Sequence, residues 1–377
     1  MKIWITALVA ILALGACDSD EGPAAPTQLT VETWNLGLAY NFVPFATARR
    51  DLTIAAAAAS DADILCIQEV WTDEDVAALQ KAASEAGFAE TWFQATPEDV
   101  TGLPVACTEG DRKDLQPCAE DACMTSTELA DCVQTQCGAE LSAVSDACLT
   151  CLASNLHLSL SQILLTCAQG GAKYTYGGQT GLLLLSRVPL KNKKLTVLDS
   201  TLVRRAVMQA TVTAPGGAPL KVSCTHLTAA LSSVPYSGPA DSWEAEQKAQ
   251  IAELVKLASG SGASLVLGDL NTGPATGGVV KAEFPDNYKL LTDAGFTSPY
   301  LDQKAPLCTF CADNTLVAGG VDKGGEGVAI DHALLRGWSG SVTDVERRYD
   351  ATASLEGVDG VQHLSDHFGV RMTLRAP

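Results

Sequence analysis

Six apolar runs in this chain each give way to a polar residue able to hold a cation or move a proton. Leu29 to Trp34 ends at Asn35, Ile64 to Gln68 at Glu69, and Val222 to Thr225 at His226. Leu265 to Gly268 ends at Asp269, with Asn271 two residues on, and Val328 to Ile330 ends at Asp331 and His332. Leu364 and Ser365 lead to Asp366 and His367, just before a last run from Phe368 to Leu374. Glu69, Asp269 and Asp366 are hard oxygen donors suited to Mg2+, with Mn2+ or another divalent cation as substitutes. Asn35 and Asn271 can orient a phosphate oxygen without adding charge. His226 and His367 titrate near neutrality and can move protons or stabilise charge. Asp331 can orient an imidazole, as a carboxylate does in a catalytic triad. No serine or cysteine nucleophile is indicated. Water attacking phosphorus, with a metal neutralising the developing charge, uses all the parts.

Taken singly, each residue has a plainer role: Asn35 as a turn cap, Glu69 as a solvated strand end, His226 as a hydrogen-bonded core histidine. Asp269 with Gly268 and Asn271 could be a turn, and Asp331-His332 and Asp366-His367 structural ion pairs. Six ordered coincidences are a poor account of the set. His157, His332 and His363 are read as structural.

These residues need a rigid scaffold. Short, wholly apolar runs read as strands buried on both faces, whose ends open at the rim of a sheet. Between them come helical patterns. Ala46 to Ser60 is one, and another starts at the cap Thr72 with Asp73, Glu74 and Asp75 in its first turn and Gly87 as its stop. Strand-like runs continue over Gly181–Arg187, Leu195–Thr213 and Leu220–Cys224. Asp241 and Glu244 read as a capping box for a helix with Ile251, Leu254, Val255 and Ala258 on one face. Residues 104–170 break the rhythm, being rich in Ala and Cys with nine acidic and two basic side chains. They read as a helical insertion.

The strings TWNLG, ILCIQEVW, CTHL, VLGDLN, IDHALL and LSDHFGV, in that order, resemble the endonuclease/exonuclease/phosphatase superfamily over about residues 28–103 and 171–377. The resemblance implies an α+β, four-layer αββα sandwich of two packed mixed sheets flanked by helices, with the site at one end. It implies that Glu69 holds Mg2+ helped by Asn35, with Asp366 at the metal side. Asp269 would orient and deprotonate the attacking water, Asn271 would contact the phosphate, and His226 would stabilise phosphoryl oxygens or assist the leaving group. His367 would be a second essential imidazole paired with Asp331. Gly37 stands where some nuclease members carry an acid, and the family's phosphate-contacting tyrosine falls in the interrupted region, leaving Tyr174 and Tyr176 as weak candidates.

Of thirteen cysteines, eight fall between Cys107 and Cys167, and Cys308 and Cys311 form a close pair. An even, clustered set reads as disulfides in an oxidising compartment, with zinc as the competing reading. Cys66 and Cys224, inside apolar runs, read as buried free thiols. Residues 1–16 read as an export signal: Lys2 precedes an apolar stretch ending in Leu14-Gly15-Ala16-Cys17, which resembles a bacterial lipobox. That resemblance implies cleavage before Cys17 and its acylation, with 17–27 as a tether, so the domain 28–377 would hang from a bacterial membrane, periplasmic or at the cell surface. The net charge of −19 repels polyanions, so duplex nucleic acid is not the expected partner. Glu69-Val-Trp71 before an acidic helix start, and Cys224-Thr-His226-Leu before a long loop, resemble the sphingomyelinase-type branch. The expected substrate is therefore a lipid headgroup or small phosphodiester, cleaved by a monomer. The alternatives are an exported nuclease and a surface binding module whose site idles.

Overall fold

Side-chain parity inside the strands explains the layers. In Ile64–Gln68 (β2), Ile64 and Cys66 point one way and Leu65 and Ile67 the other, and all four are fully buried. A strand covered on both faces must lie in an inner layer. The computed structural model describes residues 26–101, 103–126, 129–231, 236–278, 280–317 and 326–376. The expected leader and Cys17 lie outside them.

Two sheets carry the architecture. The first contains β1 (Gln28–Asn35), β2, β3 (Glu90–Trp92), β4 (Leu183–Ser186), β13 (Val342–Arg348) and β16 (Gly369–Arg375), in the order β13-β16-β1-β2-β4-β3. The second contains β5 (Lys191–Leu198), β6 (Arg205–Thr213), β7 (Pro219–His226), β8 (Ala263–Asp269) and β12 (Asp331–Arg336), in the order β12-β8-β7-β6-β5. Their facing sides share one core that includes Val31, Ile64, Val222, Leu265 and Met372. The outer side of the first sheet packs on α1 (Ala46–Ala58) and α2 (Asp73–Glu85) through Trp34, Ile54, Leu65 and Leu79. The outer side of the second packs on α8 (Trp243–Ala258) and α9 (Pro285–Asp293) through Ile251, Val266, Leu291 and Leu334. This is the expected four-layer αββα sandwich. Short strands β9 (Val280–Lys281), β10 (Phe310–Cys311) and β11 (Gly327–Val328) make a small sheet, and β14 (Thr352–Ser354) pairs with β15 (Val361–His363).

Strand direction selects the rim. β1 and β2 run parallel, as do β7 and β8, so Asn35, Glu69, His226 and Asp269 emerge at C-terminal ends. β16 is antiparallel to β1, and β12 to β8, so Asp366-His367 and Asp331 enter the same rim at strand starts. Asp331 pairs in register with Asp269. It therefore opens β12 instead of closing the run 328–330; an antiparallel partner reaches the rim with its first residue.

Three further expectations change. Leu195–Thr213 is two antiparallel strands joined by residues 199–204. The cap of α8 is Ser242, whose hydroxyl accepts from the Ala245 N–H, not Asp241; a hydroxyl one residue later meets the first turn. Cys66 and Cys224 are not free thiols but a disulfide, with Cα atoms 5.5 Å apart. Both sit at inward positions on facing sheets, so their side chains meet in the central core. The bond staples the two sheets together.

The insertion supplies α3 (Glu109–Cys123), α4 (Leu129–Gln136), α5 (Gly138–Ser142), α6 (Asp146–Ser154) and α7 (Leu160–Gln169) around its own core. Disulfides Cys107–Cys148, Cys118–Cys137, Cys123–Cys132 and Cys151–Cys167 cross-link it, and Cys308–Cys311 closes a short loop. Each of these cysteines is oxidised, so none offers a thiolate to zinc.

Because Cys66 and Cys224 are 158 residues apart, the Cys66→Ala/Cys224→Ala double variant should lose about 2–5 kcal/mol of stability, read as a lower denaturation midpoint.

Candidate active site

Asp269 is the centre of the rim. Its side chain is 1% exposed, and both oxygens are held. Oδ1 accepts from the Asn271 backbone N–H at 2.9 Å, and Oδ2 from Asn35 Nδ2 at 3.0 Å, a bond that crosses from one sheet to the other. His226 Nε2 and His367 Nδ1 flank Oδ2 at 3.5 and 3.7 Å. Burial, then the charge of Asp331, pushes the Asp269 carboxyl up to about 7, against the pull of His367 and the two asparagine donors. Gly268 makes the close approach possible: a Cβ there would lie 2.0 Å from the Thr225 carbonyl oxygen.

His367 pairs with Asp331, Nδ1 to Oδ2 at 2.9 Å. Burial opposes charge on this imidazole, but Asp331, Asp269 and Asp366 outweigh it and hold the ring well above its ordinary pKa. His226 goes the other way. Burial, Arg205 and His367 all disfavour its charge, so it stays neutral. The rim therefore holds one charged and one neutral imidazole on either side of a carboxylate. The Cys308–Cys311 loop clamps the dyad. Thr309 Oγ1 accepts from the Ile330 and Asp331 N–H groups at 3.0 and 3.1 Å, Phe368 N–H donates to the Thr309 carbonyl at 2.7 Å, and the Phe310 ring lies 4.9 Å from that of His367.

Glu69 and Asp366 form a second cluster. Glu69 has φ 57°, a left-handed conformation that turns it out of the strand direction at the end of β2. Burial and then Asp366 raise its pKa, while His367, Asn35 and Arg205 lower it. Asp366 Oδ1 lies where a Gly37 side chain would be, 2.3 Å from the position of a Cβ. Gly37 thus leaves room for Asp366, and an acid at position 37 would displace it. Two repelling carboxylates beside an asparagine amide are a fitting cradle for a divalent cation of the Mg2+ type. By contrast, the ligand atoms of Asp269, Asp331 and His367 lie within 4.8 Å of one another, but the His367–Asp331 hydrogen bond already occupies Nδ1.

Two arginines escaped the sequence reading. Arg49, 0% exposed in α1, donates to the carbonyls of Pro44, Leu36, Leu364 and Gly37 at 3.0, 3.3, 2.5 and 2.6 Å. It ties the loop after β1 to the Asp366 loop, and Asp366 and Glu69 are the charges it faces. Arg205, at the start of β6, is equally buried, yet its Nε and Nη1 have no hydrogen-bond partner among the described residues. Burial lowers its pKa to about 10, while Glu69, Asp269 and Glu246 favour its charge. A signal existed for neither, because a lone arginine in a helix or at a strand start reads as surface.

The remaining candidates are placed as follows. Asn271 (φ 49°) donates from Nδ2 to the Leu227 carbonyl at 3.0 Å, which commits part of the amide expected on phosphate. Tyr176 stacks on Trp71 at 4.9 Å, and Trp71 in turn is 6.3 Å from the His226 ring. Trp71 therefore stands between Tyr176 and the imidazoles. Tyr174 is engaged by Arg204, whose guanidinium lies 4.5 Å over its ring. His332 shares no described hydrogen bond with Asp269, Asp331 or His367; its Nε2 meets the Thr272 carbonyl at 2.7 Å.

The two arginines make opposite predictions for stability. Arg49→Met should cost about 3–5 kcal/mol, because it strands four buried carbonyls. Arg205→Met should fold within about 1 kcal/mol of the parent or above it, because it removes an unsatisfied buried charge. Thermal unfolding of both checks this.

Residues 33–367 match the Endonuclease/Exonuclease/phosphatase family, and that span places the chain within it. No curated protein matches the sequence. Among solved structures, an endonuclease/exonuclease/phosphatase from Beutenbergia cavernae superposes with a TM-score of 0.54 at 18% identity, covering 93% of this chain and 72% of that one. A sphingomyelinase C from Streptomyces griseocarneus gives 0.52 at 16% identity, covering 92% and 99%. A truncated TDP2 from Caenorhabditis elegans gives 0.50 at 14% identity, covering 93% and 98%. At these identities the likeness is one of fold.

Proposed function

We propose that this member of the endonuclease/exonuclease/phosphatase family hydrolyses a phosphodiester by attack of water on phosphorus, with a lipid headgroup or small phosphodiester as substrate. The observation that carries the reading is the setting of Asp269. Both its oxygens are fixed by asparagine donors, and the imidazoles of His226 and His367 flank Oδ2 at 3.5 and 3.7 Å. Such a carboxylate is oriented to align a water and take its proton. His367, kept charged by Asp331, stabilises negative charge as it develops on the phosphoryl oxygens. Neutral His226 faces the same oxygens or the leaving group. The unpaired N–H groups of buried Arg205 supply further donors to an anion, a role the sequence did not suggest. Glu69, with Asp366 and Asn35, would hold Mg2+, which when bound supplies Lewis-acid stabilisation of the phosphoryl group.

Acidity supports a small or membrane-borne substrate over duplex nucleic acid, and the fold likeness makes sphingomyelin the first lipid to try. Six disulfides fit an oxidising compartment. An acylated Cys17 would hold the domain at a membrane surface where such lipids lie.

Purified protein should cleave sphingomyelin or a chromogenic phosphodiester and lose activity in EDTA. Asp269→Asn should reduce kcat roughly 10²–10⁴-fold. Arg205→Met should lower kcat/KM at least about tenfold while remaining folded. Chelator-resistant turnover, or activity confined to plasmid DNA, would overturn the reading.

A further inference from the structure

Cys308 and Cys311 are bonded across a sequence separation of 3, against 158 for Cys66 and Cys224. A cross-link stabilises a fold mainly by removing freedom from the unfolded chain, and the shortest loop removes the least. Global stability is therefore a poor account of the Cys308–Cys311 bond. Its effect must be sought in what the loop touches.

Both residues inside the loop act on the Asp331–His367 pair. Thr309 is fully buried; its hydroxyl accepts the Ile330 and Asp331 N–H groups, and its carbonyl accepts the Phe368 N–H. It thus holds the backbone beside each member of the pair. Phe310 lays its ring 4.9 Å from that of His367. The cysteines at either end are set just as closely. They pack in one apolar cluster with Ala329 and Phe368. Arg347 Nη1 donates to the Cys308 carbonyl at 3.1 Å. Asn314 donates its N–H to the Cys311 carbonyl at 3.0 Å and its side-chain amide to the Ser365 carbonyl at 2.9 Å, two residues before His367. A Cβ at Gly327 would lie 2.8 Å from both Cβ and Sγ of Cys308, so β11 is shaped around this sulfur.

We propose that Cys308 and Cys311 are positioning residues whose bond sets the Asp331–His367 hydrogen bond for turnover, so that hydrolysis waits on oxidation of this pair. The inference rests on the phosphodiesterase reading above. With the bond closed, Thr309 and Phe310 are in place before substrate arrives, and their ordering costs nothing at the moment of reaction. As two thiols, the loop ends are free to part, and Thr309 loses its fixed grip on Asp331 and Phe368. The oxidation is thiol–disulfide exchange with a disulfide-bearing oxidant. The S–S bond of Cys308 and Cys311 forms, and that of the oxidant breaks as it takes up the electron pair and both thiol protons. His367 acts on charge that develops in the transition state, whereas Glu69, Asp366 and Asn35 belong to the neighbouring cluster. Opening the bond therefore lowers kcat and spares KM.

The test follows a chromogenic phosphodiester, with Mg2+ supplied, in the full chain and its variants. Cys308→Ser/Cys311→Ser, which stands in for the dithiol, should lose kcat about 10–100-fold, with KM within about twofold of the parent. Its denaturation midpoint should barely move. Cys66→Ala/Cys224→Ala should do the opposite, lowering the midpoint and keeping kcat. In the oxidised enzyme Thr309→Val should match the serine pair, and Thr309→Ser, which keeps the hydroxyl, should recover most of the parent kcat. A second readout needs no turnover: the downfield proton resonance of the His367 Nδ1–H bound to Asp331 should stand in the parent and vanish in the serine pair and in Thr309→Val. Parent-like kcat in the serine pair would overturn the proposal, as would an unaltered resonance. A serine pair that fails to fold would make the bond a stability element and overturn it too. If the resonance depends on the bond but the parent turns over no phosphodiester, the positioning role stands and the catalytic reading falls. Turnover indifferent to the bond does the reverse.

Discussion

A carboxylate buried where two sheets meet needs donors from both, and that requirement organises this molecule. Removing an ion from water costs several kcal/mol unless hydrogen bonds replace the lost solvent. Asp269 receives one bond from its own turn, at Asn271, and one from Asn35 on the opposite sheet. The second bond is possible only if the sheets pack in one relative position. The Cys66–Cys224 link and the shared apolar core set that position just below the rim. The polar end of the sandwich is therefore as exactingly placed as its middle, although it has little apolar surface of its own.

The same rim uses two buried arginines in opposite ways. Arg49 spends every described contact on backbone carbonyls, so its charge is held in place beneath Asp366 and Glu69 as a fixed background field. Arg205 has its guanidinium in an equally dry setting with two nitrogens unsatisfied. Structural economy explains the first and not the second. An unsatisfied buried cation facing three acids is tolerated where a ligand completes it.

Much of this was legible from residue order. Apolar runs with polar ends fixed the identity of the six rim segments, and parity along β2 and β8 is visible in the letters. What stayed hidden depends on contacts between distant segments. Cys66 and Cys224 each look like a small apolar residue until the facing strand is known. Asp331 seemed to end a strand because the direction of β12 relative to β8 is not written locally. Arg49 and Arg205 resemble surface residues because helix periodicity and strand boundaries say nothing about which loops fold over them. Tyr176, a candidate for contact with phosphate, stacks on Trp71, which lies two residues beyond Glu69 and closer to His226.

The disulfides of the insertion follow a nested order. Cys123–Cys132 lies inside Cys118–Cys137, which lies inside Cys107–Cys148, and all of these fall within the span from Cys66 to Cys224. Each inner bond shortens the loop that the next must close, so its entropic penalty falls as oxidation proceeds outwards. The cross-links of the insertion thus lower the entropic penalty of closing the bond that joins the two sheets.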